Sequence, residues 1–159
     1  MTRQQKIIVY ASVSALSIGY LSYKAIRRNQ IYNELIGVIE KTGGGYNKSK
    51  NESALKGTLH PIIESQNYDK GIIILQPDEV KNRAEALFSA IDGAGTDEEK
   101  IASVITMFND KFALSQVASF YRAKYNETLY DALKGDLNNS DFEYYVTENM
   151  AKLPEVRFV

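Results

Sequence analysis

The chain has 159 residues, a formal net charge of −1 and 44% hydrophobic residues, which suits one folded domain with an appendage. It contains no cysteine and one histidine, a composition that argues against disulfides, zinc sites and catalysis by a Cys/His pair. Residues 1–28 carry five basic side chains and no acid, whereas residues 78–150 carry fourteen acids and seven bases. Because an acidic C-terminal half would repel a phosphate backbone, we predict no nucleic-acid partner.

Residues 7–23 form an uncharged, largely apolar segment with basic residues on both sides. A bilayer span needs about 17 to 25 residues, so the segment reaches the lower end of that range. The pattern predicts an uncleaved single-pass membrane anchor, with membrane lipid as the partner of residues 7–23. Small residues at Ala11, Ala15 and Gly19 recur every four positions, so the alternative is a helix that packs on other helices in a soluble assembly or virion.

The region between the N-terminal segment and Pro77 carries weaker signals. Apolar residues in 31–39 keep a helical spacing, which predicts that the first helix continues as a stalk until three glycines stop it at 43–45. Residues 46–56 are rich in Asn, Lys and Ser without periodicity, as in a surface loop. The apolar run 71–75 is either a short strand or an extended segment packed on the domain that follows.

Helical periodicity dominates the C-terminal half of the chain. Pro77 followed by two acids indicates a helix start, because proline is tolerated in the first turn and acids favour the positive end of the helix dipole. Five apolar stripes with helical spacing follow. They are Ala84, Leu87, Phe88 and Ile91; Ile101, Val104, Ile105 and Phe108; Leu114, Val117, Ala118 and Tyr121; Leu129, Ala132 and Leu133; and Phe142, Tyr145 and Val146. This region shows no strand-like alternation, so the predicted fold class is all-α.

The predicted organisation has four parts. Residues 1–42 form a long N-terminal hydrophobic helix that serves as anchor and stalk, and residues 43–77 form an irregular linker. Residues 78–151 form a five-helix domain, and residues 152–159 form a C-terminal tail. We expect residues 78–151 to fold by themselves, since five amphipathic helices can close one core.

The five-helix region resembles one annexin repeat. The resemblance rests on the loop from Gly93 to Glu99, the turn from Tyr125 to Leu129, the segment from Leu133 to Leu137, and the acidic motif from Asp141 to Glu143. It covers 74 of the 159 residues, from 78 to 151. Similar single repeats occur in small proteins of Bacteroidetes-type bacteria and of their phages.

The annexin resemblance implies a calcium site. In annexins, the glycine loop binds calcium through backbone carbonyls, helped by a carboxylate about forty residues later. Carried over by position, the resemblance assigns the carbonyls of Ile91, Gly93 and Gly95 and the carboxylate of Asp136 as metal ligands. Asp136 follows Gly95 by 41 residues.

The same loop also has a purely structural interpretation. Gly93 is a natural C-terminal cap, and Thr96 with Glu99 forms a capping box for the next helix. The chain also departs from the annexin pattern in two ways, because its loop residues differ and because it contains one repeat where annexins normally have four. Asp92 stands in place of the usual basic residue and Ala94 in place of a larger apolar residue, so docking of the loop to phospholipid is doubtful.

The chemistry of the chain predicts a protein that is not an enzyme. Its acids scatter along helix surfaces without a nucleophile, and it contains neither a Walker A motif nor a nucleophile elbow. The main hypothesis is a non-enzymatic, membrane-anchored interaction or scaffold module that binds a protein partner or self-associates. The alternatives are a phage virion or assembly component packed through its N-terminal helix, and a calcium-dependent phospholipid-binding module.

Overall fold

The structure is a computed structural model that describes residues 48–59, 71–93 and 95–158, with isolated positions 26, 27, 30 and 33. The chain divides into two compact units, residues 1–36 and residues 37–159. In the first unit, the four isolated positions are helical. The site and its supporting core belong to the second unit.

The prediction of a single-pass membrane anchor is wrong on the structural evidence. Over the ranges described above, no helix combines the length and the apolar character that crossing a membrane requires. Residues 7–23, on which the anchor and its lipid contact depend, lie outside the described residues. Most of the predicted stalk lies outside them as well.

Helices dominate the described part of the second unit. They are α1 (Lys48–Leu55), α2 (Pro77–Ile91), α3 (Glu98–Thr106), α4 (Lys111–Tyr125), α5 (Leu129–Asp136), α6 (Asn139–Asp141), a π-helical turn (Phe142–Thr147) and α7 (Glu148–Ala151). In the described part of the chain there is no strand, and the β pairing found there is an isolated antiparallel bridge between Ile72 and Phe158. The all-α class is therefore confirmed for these residues.

Helix α4 forms the centre of this unit. Its residues 111–118 are all buried, and Tyr121 is buried one turn later. The helix packs against α1, α2 and α5. Leu87, Ile105 and Leu133, from the apolar stripes of three other helices, are fully buried as well. Burial of these stripes supplies the main driving force for folding of this unit.

Helix α1 lies where the sequence predicts a surface loop. Its last turn is buried through Ala54 and Leu55, and Leu59 is buried just beyond it. The sequence does not predict this helix, because its apolar residues are confined to one end and show no helical periodicity. Its stability therefore comes from packing against α4 rather than from local sequence preference.

Gly57 sets how closely the end of α1 approaches α4. It has a φ of +69°, and a Cβ atom placed on it would lie 2.5 Å from the backbone nitrogen of Ser119 in α4. Gly71 has a similar φ of +72°, but a Cβ there would meet no atom within 4 Å. A side chain at Gly71 would therefore introduce backbone strain alone, whereas a side chain at Gly57 would introduce backbone strain and steric overlap with α4.

Gly57→Ala should destabilise the protein more than Gly71→Ala. Strain of a left-handed alanine should cost about 1 to 2 kcal/mol at either position. Overlap with α4 should add about 1 to 3 kcal/mol at Gly57 alone. Urea unfolding of the two variants measures the difference. Equal losses would contradict the close approach of the two backbones.

The C-terminal tail closes the N-terminal end of α4. The amides of Lys111 and Phe112 donate hydrogen bonds to the carbonyls of Pro154 and Glu155, at 2.9 and 3.0 Å. The first amides of a helix have no partner within the helix, so the tail satisfies two groups that would otherwise be buried without a bond.

Asp110 connects the tail to the helix a second time. It is the N-cap of α4 and accepts a hydrogen bond from the Ala113 amide at 2.7 Å. Its other carboxylate oxygen accepts from the Arg157 amide at 2.8 Å. Asp110 is 1% exposed, and burial raises the pKa of its carboxyl group, although these amide bonds favour the charged form.

The apolar run 71–75 is an extended segment packed on the helices, the second of the two predicted alternatives. The Ile73 amide donates to the Arg157 carbonyl at 3.2 Å, and the Leu75 amide donates to the Gln116 side-chain oxygen at 3.1 Å. The segment and the tail thus complete the core on which the helices depend. Independent folding of residues 78–151 stays a prediction.

Asp110→Asn should destabilise the protein by about 1 to 2 kcal/mol, because an amide can accept with only one atom and would turn a donor towards the backbone amide of either Ala113 or Arg157. Asp97→Asn is a matched control. Asp97 caps α3 through its bond to the Lys100 amide, at 2.9 Å, and Asn caps a helix about as well as Asp. We expect thermal unfolding to distinguish the two variants, and equal stability of both would contradict the role assigned to Arg157.

Candidate functional site

The candidate site is the loop of residues 92–97 between α2 and α3, in which Ala94 lies outside the described residues. Helix α2 ends at Ile91, which is half-buried. The Asp97 amide donates a hydrogen bond to the Ala90 carbonyl at 2.9 Å, which closes the loop over the end of α2.

The two glycines of the loop serve different geometric needs. Gly95 has a φ of +143°, a conformation that L side chains rarely adopt. A Cβ atom on Gly93 would lie 3.2 Å from the Gly95 carbonyl oxygen and 3.5 Å from the Ser89 carbonyl oxygen. Both glycines are exposed. The missing side chain at Gly93 therefore leaves room for the carbonyl oxygens of Gly95 and Ser89 beside its Cα atom.

Asp136 lies beside this loop in the structure. It is the last residue of α5, it is exposed, and its Oδ2 accepts a hydrogen bond from Thr96 Oγ1 at 2.7 Å. The two residues are 40 positions apart, so their contact depends on the packing of the helices between them. Of the predicted ligands, Ile91, Gly93 and Gly95 belong to the loop and the helix end before it, and Asp136 joins them through Thr96.

The predicted capping box of Thr96 and Glu99 is wrong. Asp97 is the N-cap of α3, and its side chain accepts from the Lys100 amide. Because aspartate caps a helix at least as well as threonine, the helix begins one residue later than expected. The Thr96 hydroxyl is then available to Asp136, a role that the sequence analysis missed.

Negative charge surrounds this end of the domain. Burial raises the pKa of Tyr121 to about 12, and the charges of Glu127, Asp92 and Asp136 contribute to the increase, together with Tyr125. The three carboxylates come from the loop after α2, the turn after α4 and the end of α5. Such a concentration of acids favours a bound cation. Sequence analysis did not identify Glu127, although it lies in the turn that carried part of the resemblance.

An aromatic cluster fixes α2, and with it the start of the loop, against α4. The rings of Phe88 and Tyr125 stack with their centroids 4.0 Å apart, and Tyr121 lies at 4.7 Å from Tyr125. Each such pair adds about 0.5 to 1.5 kcal/mol beyond the area it buries. These tyrosines therefore pack within the domain rather than form an exposed binding face.

The oxygen donors near the loop fit calcium in chemical type, since calcium prefers carboxylate and carbonyl oxygens. In the ranges that the structure describes, no group of three or more His, Cys, Asp or Glu residues could hold a metal ion. A metal in this loop would therefore depend mainly on backbone carbonyls, with Asp136 supplying the charge.

Taken together, the helices from α2 onwards form one helical repeat with a glycine loop and a carboxylate brought to it from a later helix. Residues 82–145 match the family model described as Annexin, which confirms the resemblance to a single annexin-like repeat. The match gives no support to a virion or phage origin. Among curated proteins no match to the chain was found, and among solved structures none was found either.

The raised pKa of Tyr121 predicts a loss of stability at alkaline pH. In the unfolded chain this tyrosine loses its proton near its ordinary pKa of 10.0, whereas in the folded protein it does so near about 12. Between these values the folded state binds more protons, so the free energy of unfolding falls as pH rises. We expect Tyr121 to account for roughly 2 kcal/mol of that decline.

Tyr121→Phe should remove this part of the alkaline decline, which urea unfolding between about pH 9 and about pH 12 would measure. Tyr144→Phe is the control, because Tyr144 is 62% exposed. If both variants lost stability with pH as steeply as the wild type, the assignment to Tyr121 would be wrong.

Proposed function

We propose that this protein is a non-enzymatic calcium-binding module built on one annexin-like repeat. The observation that carries the proposal is the hydrogen bond between Thr96 and Asp136, which holds a carboxylate at a glycine loop 40 positions earlier in the chain. Annexins in general bind calcium and are in general not enzymes, so the family match at residues 82–145 supports both parts of the proposal.

The proposed ligands are the carbonyls of Ile91, Gly93 and Gly95 and the carboxylate of Asp136. Calcium takes about six to eight oxygen ligands, so water would complete its coordination. Asp136 is the one carboxylate in this set and leaves much of the ion's charge to be balanced by carbonyl dipoles. We therefore expect weak binding, with a dissociation constant of about 10⁻⁵ to 10⁻³ M.

Phospholipid binding is also a general property of the annexin family, but the charges at this loop oppose it. Asp92 is exposed immediately before Gly93, and Glu127 and Asp136 add negative charge at the same end of the domain. Anionic headgroups would be repelled until calcium neutralised part of this charge. We therefore propose a calcium site with little intrinsic affinity for lipid.

A second candidate function is a metal-free module for protein interaction or scaffolding. The hydrogen bonds observed in the loop favour it, because they hold the loop in place without an ion. Thr96 bonds to Asp136, the Asp97 side chain caps α3, and the Asp97 backbone amide bonds to Ala90. Titration of the protein with calcium distinguishes this function from the first.

The full-length protein should release or absorb heat when it is titrated with calcium chloride, and calcium should raise its melting temperature. Asp136→Asn should abolish both effects. The amide oxygen of asparagine can still accept the Thr96 hydrogen bond, so this change removes the charge while keeping the contact. Calorimetry and thermal unfolding measure the two effects.

Glu148→Gln is the matched control, because it removes one exposed carboxylate from α7. It should bind calcium like the wild type. Equal weakening in both variants would indicate a general effect of net charge rather than a site. Absence of heat and of stabilisation in the wild type would leave the loop as a helix connector and favour the metal-free module.

A further inference from the structure

A cavity of about 400 Å³ lies between α1, α5 and the C-terminal helices, apart from the calcium loop. Its accessible apolar surface comes mainly from Tyr130, which is half-buried, whereas the other apolar residues of its lining, Leu55, Phe142 and Met150, are buried. Binding sites for small molecules commonly combine such apolar walls with a few polar groups, in volumes of about 300 to 1,000 Å³. This cavity lies near the lower limit of that range.

Two aromatic rings and one ammonium group shape the interior of the cavity. Tyr130 and Phe142 meet edge to face, with ring centroids 5.9 Å apart. The Lys134 ammonium lies 3.8 Å from the centroid of Phe142. Its hydrogen bond to Asn139 is long, at 3.4 Å, so the ammonium keeps donors for another group.

Three charged side chains line the cavity, namely Glu52, Lys134 and Glu143. Glu52 is already paired with Lys56 at 2.5 Å. In the described part of the chain, neither Lys134 nor Glu143 has a partner of opposite charge within 4.0 Å. The cavity therefore presents one positive and one negative charge that no ion pair among the described residues neutralises.

We propose that this cavity binds a small zwitterion with an apolar side chain, namely a free apolar α-amino acid. Its carboxylate pairs with Lys134, and its ammonium group pairs with Glu143. Its side chain packs against the ring of Tyr130, which is half-buried. Burial of the side chain supplies affinity, and the two charge-assisted contacts supply orientation.

The pair of opposite charges distinguishes this ligand from a simple anion or a simple cation. A carboxylic acid without an amino group would leave Glu143 unpaired beside the ligand, and an amine without a carboxylate would leave Lys134 unpaired. An unpaired charge next to a desolvated ligand costs binding free energy. Of these three kinds of ligand, only the zwitterion pairs with both Lys134 and Glu143.

Three probes with the same aromatic ring test the proposal on the full-length protein. They are L-phenylalanine, 3-phenylpropionate, which lacks the ammonium group, and 2-phenylethylamine, which lacks the carboxylate. For phenylalanine a dissociation constant on the order of 1 mM is expected, so ligand-observed NMR titrations should extend to about 100 mM to cover the weaker probes and variants. Phenylalanine should bind about tenfold more tightly than either of the other two.

Single-charge variants assign each contact. Lys134→Gln should lower the affinity for phenylalanine and for 3-phenylpropionate by about tenfold. It should leave the affinity for 2-phenylethylamine unchanged. Glu143→Gln should lower the affinity for phenylalanine and for 2-phenylethylamine. It should leave the affinity for 3-phenylpropionate unchanged. Lys81→Gln, an exposed change on α2, should alter none of the three affinities.

The proposal is overturned if no probe shows saturable binding or if all three bind with equal affinity. It is also overturned if 3-phenylpropionate or 2-phenylethylamine binds more tightly than phenylalanine. It is also overturned if Lys81→Gln weakens binding as much as Lys134→Gln. Glu143→Gln should unfold near the wild-type temperature, because no ion pair of Glu143 occurs among the described residues. Lys134→Gln should unfold slightly below it, because the contact of the ammonium with the Phe142 ring is lost. Calcium binding at the loop is measured separately, so failure of one proposal leaves the other unaffected.

Discussion

The structure depends on the burial of α4 together with the hydrogen bonds that its first turn requires. Residues 111–118 are all buried, so the amides at the start of this helix lie where water does not satisfy them. A buried amide without a partner costs about 1 to 3 kcal/mol. Asp110 and the carbonyls of the tail remove that cost, and in doing so they fix the tail against the core. The folded unit therefore includes residues on both sides of the annexin-like repeat.

The opposite end of α4 determines the position of the loop site. The helix ends at Tyr125, and the residue that caps it, Asn126, has a left-handed φ of 58° that directs the chain into α5. Asp136 reaches the loop because α5 then packs against both α2 and α4. The stacked rings of Phe88 and Tyr125 hold the end of α2, where the loop begins, against α4. One buried helix thus holds both parts of the candidate calcium site at a fixed separation.

The sequence predicts those features that depend on strong local patterns. The apolar stripes correctly predict helices α2 to α5, because the burial of each stripe stabilises the helix that carries it. Helix α1 was missed because its buried residues, Ala54 and Leu55, gain their stability from a distant helix. The start of α3 was misplaced by one residue because Thr96 and Asp97 are similar as caps. Residue spacing alone did not indicate the Thr96–Asp136 contact, and the annexin resemblance suggested only that Asp136 belongs near the loop.

Helix α5 separates the calcium loop from the proposed amino-acid cavity. Lys134 and Asp136 are two residues apart in this helix, which places their side chains about 200° apart around its axis. Lys134 consequently lines the cavity while Asp136 contacts Thr96 on the other side. Ligands at the two sites would share no contact, so one could influence the other only by displacing α5. Any such effect would be reciprocal, since a calcium ion that changed the affinity of the cavity would have its own affinity changed by the same factor.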